Sequence, residues 1–482
     1  MDFMPKHSDN TVVEDGFEVI GVNPIPKNER NMSPWKFFIF WAMASGAALV
    51  PIAGKELYNM GLIYAIIAIV IALLIGLIPA GLISDMGRQI PVPSLVVARK
   101  TYGYMTSGAY SLIFTFLNLG YFGLNDSVGA VILSSLTHSP ILYWYIIMGA
   151  IQILLVLLGA KWLEYFFRYT APLLVISFGI LTYFLFTTYT INVSNLLNPI
   201  GKYTWGGALD FLLGFSILAW TYKISTQSRF GRPFSGRENK KTRAGYFVAS
   251  PLGIMLPVLL MGIVGFFGNS LNPGSGWNIA VLSFPGVSGI DRIIIIIAAI
   301  LLALSLIHPN AMNLYPATAD LLTSIQPLFG NSVHEKWAQP VATLLLGIGG
   351  IILAIEGILA RISGFIDILE AIIFPFTFIL IFDWFKNLRH TTRIGDYYKI
   401  PRNIKNNIKF GSLIPAFIGT VIAIFGIGPY DYIFAYFPKA LFGSFIGLLL
   451  YIVIYYIRPE RVQLSEKQND YDRFNMEAED SQ

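Results

Sequence analysis

The chain of 482 residues contains no cysteine, which excludes disulfides, thiolate metal sites and cysteine nucleophiles. Only five histidines are available for imidazole chemistry. Charge is scarce too: 13% of residues are Asp, Glu, Lys or Arg against 55% hydrophobic, and the mean hydropathy is +0.62. That ratio cannot coat a soluble globular domain. No helical His/Glu metal pattern, nucleophile elbow or phosphate-cradling glycine loop occurs, so neither an enzyme, a metal site nor a bound cofactor is expected. The polar start, interrupted by Pro5, Pro24, Pro26 and Pro34, lacks the apolar core and cleavage site of a signal peptide.

What the sequence does hold is a series of apolar runs about 20 residues long, enough to cross a bilayer as helix. It reads as an all-α membrane protein surrounded by lipid. Breaking the runs at charged or Gly/Pro clusters predicts twelve transmembrane helices. They lie near 36–57, 61–84, 104–136, 141–159, 168–190, 206–226, 245–268, 290–325, 337–360, 362–384, 411–428 and 436–457. The expected organisation is an N-terminal tail (1–35), a transporter-like membrane domain (36–457) and a C-terminal tail (458–482) that is acidic after Arg461 and suits a solvated segment.

A net charge of +5 and a pI near 9.0 do not indicate nucleic acid, because the basic residues lie between apolar runs. They order the topology instead. With the N-terminus in the cytoplasm, the inner loops collect Arg88, Arg99 and Lys100; Lys161 and Arg168; Arg229, Arg232, Arg237, Lys240, Lys241 and Arg243; and Lys386, Arg389, Arg393, Lys399, Arg402, Lys405 and Lys409. The outer side keeps scattered cations such as Lys55 and Lys202, so a multi-pass cell-membrane protein with both termini cytoplasmic is expected.

Several runs are interrupted by groups that lipid cannot satisfy. In span 1, Ala44-Ser45-Gly46-Ala47-Ala48 precedes Pro51 and Gly54, and loss of helix is expected near Gly46. Span 6 carries Gly206, Gly207 and Gly214, then Thr221, Lys223, Ser225, Thr226 and Gln227. Breaks five spans apart point to a five-plus-five inverted repeat, about 36–190 and 206–384 with two extra helices at 411–457, and to a site at the midplane. Small residues for close helix packing explain any single glycine better, and only the pairing of spans 1 and 6 brings the two readings level. Lys223 is expected to snorkel to the cytoplasmic end of its span.

In span 3, Tyr121 and Asn125 are four apart and share a helix face, as a flat hydrogen-bonding ligand would use them; an interhelical tyrosine beside a structural amide has the same spacing. In span 8, His308-Pro309-Asn310-Ala311-Met312-Asn313 breaks a run that extends from Ile290 to Leu322. Asn310 and Asn313 face the same way and should point into the bundle, either as ligands or as ties across a proline kink. His308 can exchange a proton near neutral pH, or simply be hydrogen-bonded.

Four patches together resemble the nucleobase:cation symporter-1 family of cytosine, purine, allantoin and hydantoin permeases. They are Ala98-Arg99-Lys100-Thr101-Tyr102-Gly103 through Gly108; Gly120-Tyr121-Phe122-Gly123; Ser228-Arg229-Phe230-Gly231-Arg232; and Ala311-Met312-Asn313 through Pro316, Ala317 and Asp320. The resemblance covers roughly residues 35–460. It implies a leucine-transporter-type fold and alternating access, with a heterocyclic substrate bound between spans 1, 3, 6 and 8. It would put Tyr121 where the family stacks its substrate, Asn125 where the ring edge is read, and Asn313 at the span 8 amide. Trp220 or Phe215 could supply a second aromatic, with Ser45 and Gly46 at the span 1 break.

Sodium-coupled members of the family have hydroxyls about a turn before that amide, where this chain reads Ile307 and His308. His308, with Asn310 beside it, is thus the candidate ion-coupling position, with H+ favoured over Na+. The expected function is import of a nucleobase or related planar heterocycle, such as cytosine, uracil, purine, allantoin or hydantoin, with no obligate protein partner. An amino-acid or amine transporter on the same fold is the alternative, and an uncoupled channel or receptor a more distant one.

Overall fold

The computed structural model describes residues 13–14, 17–18, 22–158, 160–233, 238–274, 276–329, 337–398 and 407–457. Most of the expected N-terminal tail before residue 22 and the whole C-terminal tail at 458–482 lie outside the described residues, as do Arg237, Lys399, Arg402 and Lys405.

Apart from a short antiparallel hairpin, β1 (Val13–Glu14) and β2 (Phe17–Glu18), and an isolated bridge between Met32 and Gly231, the regular structure among the described residues is helical. In chain order the helices are α1 (Pro34–Ser45), α2 (Ile52–Glu56), α3 (Leu62–Gln89), α4 (Ser94–Tyr102), α5 (Tyr104–Thr137), α6 (Ile141–Leu157) and α7 (Ala160–Thr188). There follow α8 (Trp205–Phe215), α9 (Thr221–Ser228), α10 (Lys240–Leu271), α11 (Gly289–Leu304), α12 (Ile307–Phe329), α13 (Ala338–Ile355) and α14 (Ile362–Asp383). A short α15 (Arg389–Thr391), α16 (Phe410–Phe425) and α17 (Lys439–Ile457) complete the series. Eight helical stretches among the described residues are long and apolar enough to cross a bilayer, or nine if α16 and the segment Gly428–Ala435, bent by 75°, form one span. The helices α6 and α8 are apolar but shorter.

Capping chemistry sets where the broken helices start and stop. Ser33 accepts the Lys36 amide N–H at 3.4 Å and Pro34 fills the first turn of α1. That helix ends at Ser45, and helical backbone resumes only at Ile52. Thr204 caps α8 by accepting the Gly207 N–H at 3.2 Å. The end of α8 is not at the glycines of span 6 but just after them, at Ser216, whose φ of −130° and ψ of −106° leave the helical region. Ser216 then turns its own hydroxyl back to the Leu212 carbonyl at 2.5 Å, competing with continued helix.

Helix association in lipid depends on close packing rather than on burial from water, so contacts form where side chains are absent. A Cβ on Gly54 would lie 2.0 Å from the Gly262 carbonyl oxygen and 2.2 Å from the Phe266 nitrogen, and one on Gly265 would lie 2.0 Å from the Pro51 carbonyl oxygen. The backbones of α2 and α10 therefore touch. In α5, 89% of the most apolar stretch is buried against 22% in α7, which makes α5 the axis of the bundle and α7 a peripheral, lipid-facing helix.

At the end of the bundle where α9 finishes, residues 22–33 form a strap. The Met32 N–H donates to the Phe230 carbonyl at 3.1 Å, and Tyr246 donates its hydroxyl to the Met32 carbonyl at 2.8 Å. Arg30 donates to the carbonyls of Arg88 at 2.6 Å and Arg229 at 3.1 Å, and the Tyr398 hydroxyl donates to the Val22 carbonyl at 2.6 Å.

Replacing Gly265 by Ala should lower the thermal midpoint and the folded yield on detergent size exclusion, since overpacking costs about 1–3 kcal/mol and here the obstacle is backbone. Gly179→Ala, where the new methyl meets nothing within 4 Å, should leave the midpoint unchanged or raise it.

Candidate functional site

The break after α8 leaves carbonyls without helical partners, and the hydroxyl of Tyr121 takes them. It donates to the Gly214 carbonyl at 2.9 Å and also lies 3.3 Å from that of Phe215. The ring of Phe215 stacks on Phe211 at 5.4 Å and 9°. On the far side of the break, Trp220 packs on Trp41 at 5.9 Å. Its indole N–H sits near the Tyr121 oxygen but makes no hydrogen bond of good geometry.

The amides expected in spans 3 and 8 meet in one network whose polarity can be deduced. A backbone carbonyl can only accept, so Asn310 must present its NH2 to the Phe122 carbonyl at 3.0 Å, and the same NH2 reaches Gln152 Oε1 at 2.6 Å. Asn310 Oδ1 then accepts from Asn125 Nδ2 at 2.9 Å and from Asn313 Nδ2 at 3.3 Å. Two consequences follow for the oxygens. Asn125 Oδ1 meets no donor among the described residues, and Asn313 turns Oδ1 outward, where the ammonium of Lys223 donates to it at 2.6 Å.

Lys223 does not snorkel. It is buried, with Nζ 4.9 Å from the centroid of the Tyr121 ring and 5.7 Å from that of Trp220. The break at 216–220 restarts the helix as α9 with Lys223 near its beginning, so the side chain runs to the middle of the bundle rather than to its end. Among the described residues no carboxylate lies within ion-pair distance of Nζ; Asp320, which accepts from Asn118 at 3.3 Å, is the acid whose charge it feels. A cation on desolvated aromatic faces gains about 2 kcal/mol, comparable to the roughly 2.5–3.5 kcal/mol that a mid-membrane charge costs.

Ser45, Tyr121, Asn125, Phe215, Trp220 and Asn313, with Leu49, Val50, Ser216, Val258 and Pro309 between them, line a narrow cavity of about 20 Å³, and Lys223 stands behind Asn313 outside that lining. Ser45 contributes its wall rather than its hydroxyl, which donates to the Ile254 carbonyl at 2.7 Å. Gly46 ends α1 without lining the cavity.

Asn310 and His308 lie behind the wall. Pro309 has no N–H for the Ser305 carbonyl, and His308 takes that carbonyl instead, with its backbone N–H at 3.1 Å and ring Nδ1 at 2.9 Å. Nδ1 must therefore carry a proton. Nε2 lies 2.5 Å from the Thr170 hydroxyl, which is also 2.6 Å from the Phe166 carbonyl. The rings of Phe166 and Phe167 flank the imidazole at 5.2 and 4.8 Å.

Over residues 24–447 the sequence matches the family described as permease for cytosine/purines, uracil, thiamine and allantoin. A hydantoin permease of Microbacterium maritypicum is 22% identical over 405 residues, 81% of this chain and 81% of that protein. A putative purine-cytosine permease of Bacillus subtilis (strain 168) is 25% identical over 456 residues, 90% of this chain and 94% of that protein. Among solved structures, Mhp1, a nucleobase-cation-symport-1 family transporter in a closed conformation with bromovinylhydantoin bound, aligns with a TM-score of 0.75 at 17% identity, over 95% of this chain and 98% of that one.

Asn310→Ala should lower the thermal midpoint more than Asn125→Ala, because it strands Asn125, Asn313 and Gln152 together at about 1–3 kcal/mol for each buried group left unpaired. Equal shifts measured by tryptophan fluorescence would remove Asn310 from the centre of the network.

Proposed function

The chain belongs to the family of permeases for cytosine/purines, uracil, thiamine and allantoin, and from that premise we propose that it imports a planar heterocycle bearing an adjacent N–H and carbonyl. It is a multi-pass membrane protein and a secondary transporter for nucleobase-like substrates, not an enzyme. The observation that carries the narrower reading is the polarity of the cavity. Asn125 Oδ1 offers an acceptor, and the Nδ2 groups of Asn125 and Asn313, each giving one hydrogen to Asn310, keep a second to donate, with the rings of Tyr121 and Trp220 in the same wall. A lactam or ureide edge, as in uracil, hydantoin, allantoin or an oxopurine, presents the complementary pair. Stacking adds about 0.5–1.5 kcal/mol beyond area burial and each hydrogen bond nets a similar amount.

The architecture we infer is twelve membrane helices in a five-plus-five inverted repeat over about 36–190 and 206–384, two further helices at 411–457, and both tails inside. The breaks at 46–51 and 216–220 support it, since unwound backbone at corresponding spans is the mark of a midplane site between repeats.

We infer further that the driving ion is the proton and that His308 carries it. The Thr170 hydroxyl has a single proton and two acceptors in reach, His308 Nε2 and the Phe166 carbonyl. With a neutral ring it donates to Nε2. When the ring gains a proton, Nε2 donates to the hydroxyl, which turns its own proton to Phe166, so both forms are satisfied without movement of heavy atoms. A hard cation would want oxygens where Ile307 and His308 stand.

A thermal-shift screen of purified protein against uracil, cytosine, hydantoin, allantoin, xanthine and a set of amino acids tests the substrate class. Stabilisation by the lactam-bearing rings is expected, and by Tyr121→Ala or Asn313→Ala their affinity should fall about tenfold or more, the equivalent of 1.4 kcal/mol. Unchanged affinity in both variants, or a response to amino acids alone, overturns the assignment. In proteoliposomes, uptake should follow an imposed pH gradient without sodium and be lost in His308→Gln; uptake that requires sodium and ignores pH excludes proton coupling.

A further inference from the structure

Asp126 follows Asn125 on α5 and is wholly buried, yet neither of its carboxyl oxygens has a hydrogen-bond partner. Its position in the bundle follows from its neighbours along the helix. Phe122 and Gly123, a turn earlier, pack on the segment from Gly350 to Ala354 of α13, and Gly129, a turn later, packs on Met148 of α6 and on Leu306. The carboxyl group therefore sits in the seam between α5, α6 and α13.

Little charge reaches that seam. The helix α13 has no ionisable residue, and α11 has only Asp291 and Arg292, at its first turn. On α12, His308 is engaged with Ser305 and Thr170, Tyr315 with Arg229, and Asp320 with Asn118. Of the three acids of α14, Asp367 and Glu370 are in the field of Lys439, and Asp383 accepts from the Thr101 hydroxyl at 2.7 Å. The titratable side chains of α6 are Tyr143 and Tyr145, and Tyr145 lies where an ionised Asp126 would act on it. Gln152, also on α6, has a buried Nε2 without an acceptor while its Oε1 joins the Asn310 network.

We propose that Asp126 is a proton-binding site separate from His308, a carboxylic acid that keeps its proton while the α5–α6–α13 seam is closed and yields it when the seam admits water. An ionised carboxylate without donor or counter-charge has nothing in this wall to replace its hydration, so the closed seam holds the neutral acid. Opening the seam lets the O–H bond transfer its proton to water, leaving the carboxylate solvated and no other group changed. Alkaline pH then favours the open seam and acid pH the closed one. This rests on the reading of the chain as an alternating-access permease, in which α5 moves against its neighbours.

Two measurements on the full chain in liposomes decide it. Infrared spectra at neutral pH should show the carbonyl stretch of a protonated carboxylic acid in an apolar setting, and this band should be absent from Asp126→Asn. The same band in both proteins overturns the proposal. Should the variant fail to fold, wild-type protein labelled with 13C-aspartate must shift that band, and an unshifted band overturns the proposal equally.

The second measurement uses the absence of native cysteine. Met148→Cys is labelled with a maleimide as pH is raised, in the wild-type and Asp126→Asn backgrounds, and the ratio of rates cancels the thiol's own ionisation. A ratio that climbs with pH is expected, and a flat ratio overturns the linkage. Neither readout needs a substrate, so failure of every heterocycle to bind would remove the permease reading while leaving the infrared result intact.

Discussion

The carbonyl oxygen of Phe122 fixes the direction of the three amides Asn310, Asn125 and Asn313. Because it can only accept, it orients Asn310, which orients Asn125 and Asn313, which in turn decides that the Asn125 oxygen meets no donor among the described residues and that Asn313 shows its oxygen to Lys223. A backbone atom that does not line the cavity thus sets what the cavity offers. Such control is possible only where water cannot supply substitutes, for in solvent each amide would turn independently.

The same economy recurs at the helix breaks. Each interruption frees carbonyls, and a neighbouring side chain of special character takes them: Tyr121 at the end of α8, and His308 at the carbonyl that Pro309 cannot serve. The aromatic and the imidazole are therefore part of the fold as well as candidates for chemistry. If substrate contacts Tyr121 as proposed, that contact is tied to backbone geometry, since displacing the hydroxyl exposes the end of α8.

Much of this was legible in the chain. The apolar runs located most of the helices, although α7 begins at Ala160 rather than near 168 and α4 was not among them, and Tyr121, Asn125 and Asn313, named from spacing and from the interruption at 308–313, do line one cavity. Three things were not legible. The direction taken by a chain after a break is set by tertiary packing, so nothing in the polar series from Thr221 to Gln227 revealed that Lys223 turns inward. The burial of Asp126 was equally hidden, because a carboxyl next to a polar Asn125 reads as one more interior amide's neighbour until its two empty oxygens are seen. The twofold use of Asn310 also escaped, since periodicity gives a face and not the number of helices that converge on it.

The strap at residues 22–33 has a meaning for how the protein is made. Its last hydrogen bond joins Val22 to Tyr398, 376 residues apart, and others reach Arg88, Arg229 and Phe230. The strap is synthesised before Tyr398, so its docking site is complete only after that residue has emerged. Its full set of contacts therefore waits on the later helices, and its complete docking records that the bundle has been assembled.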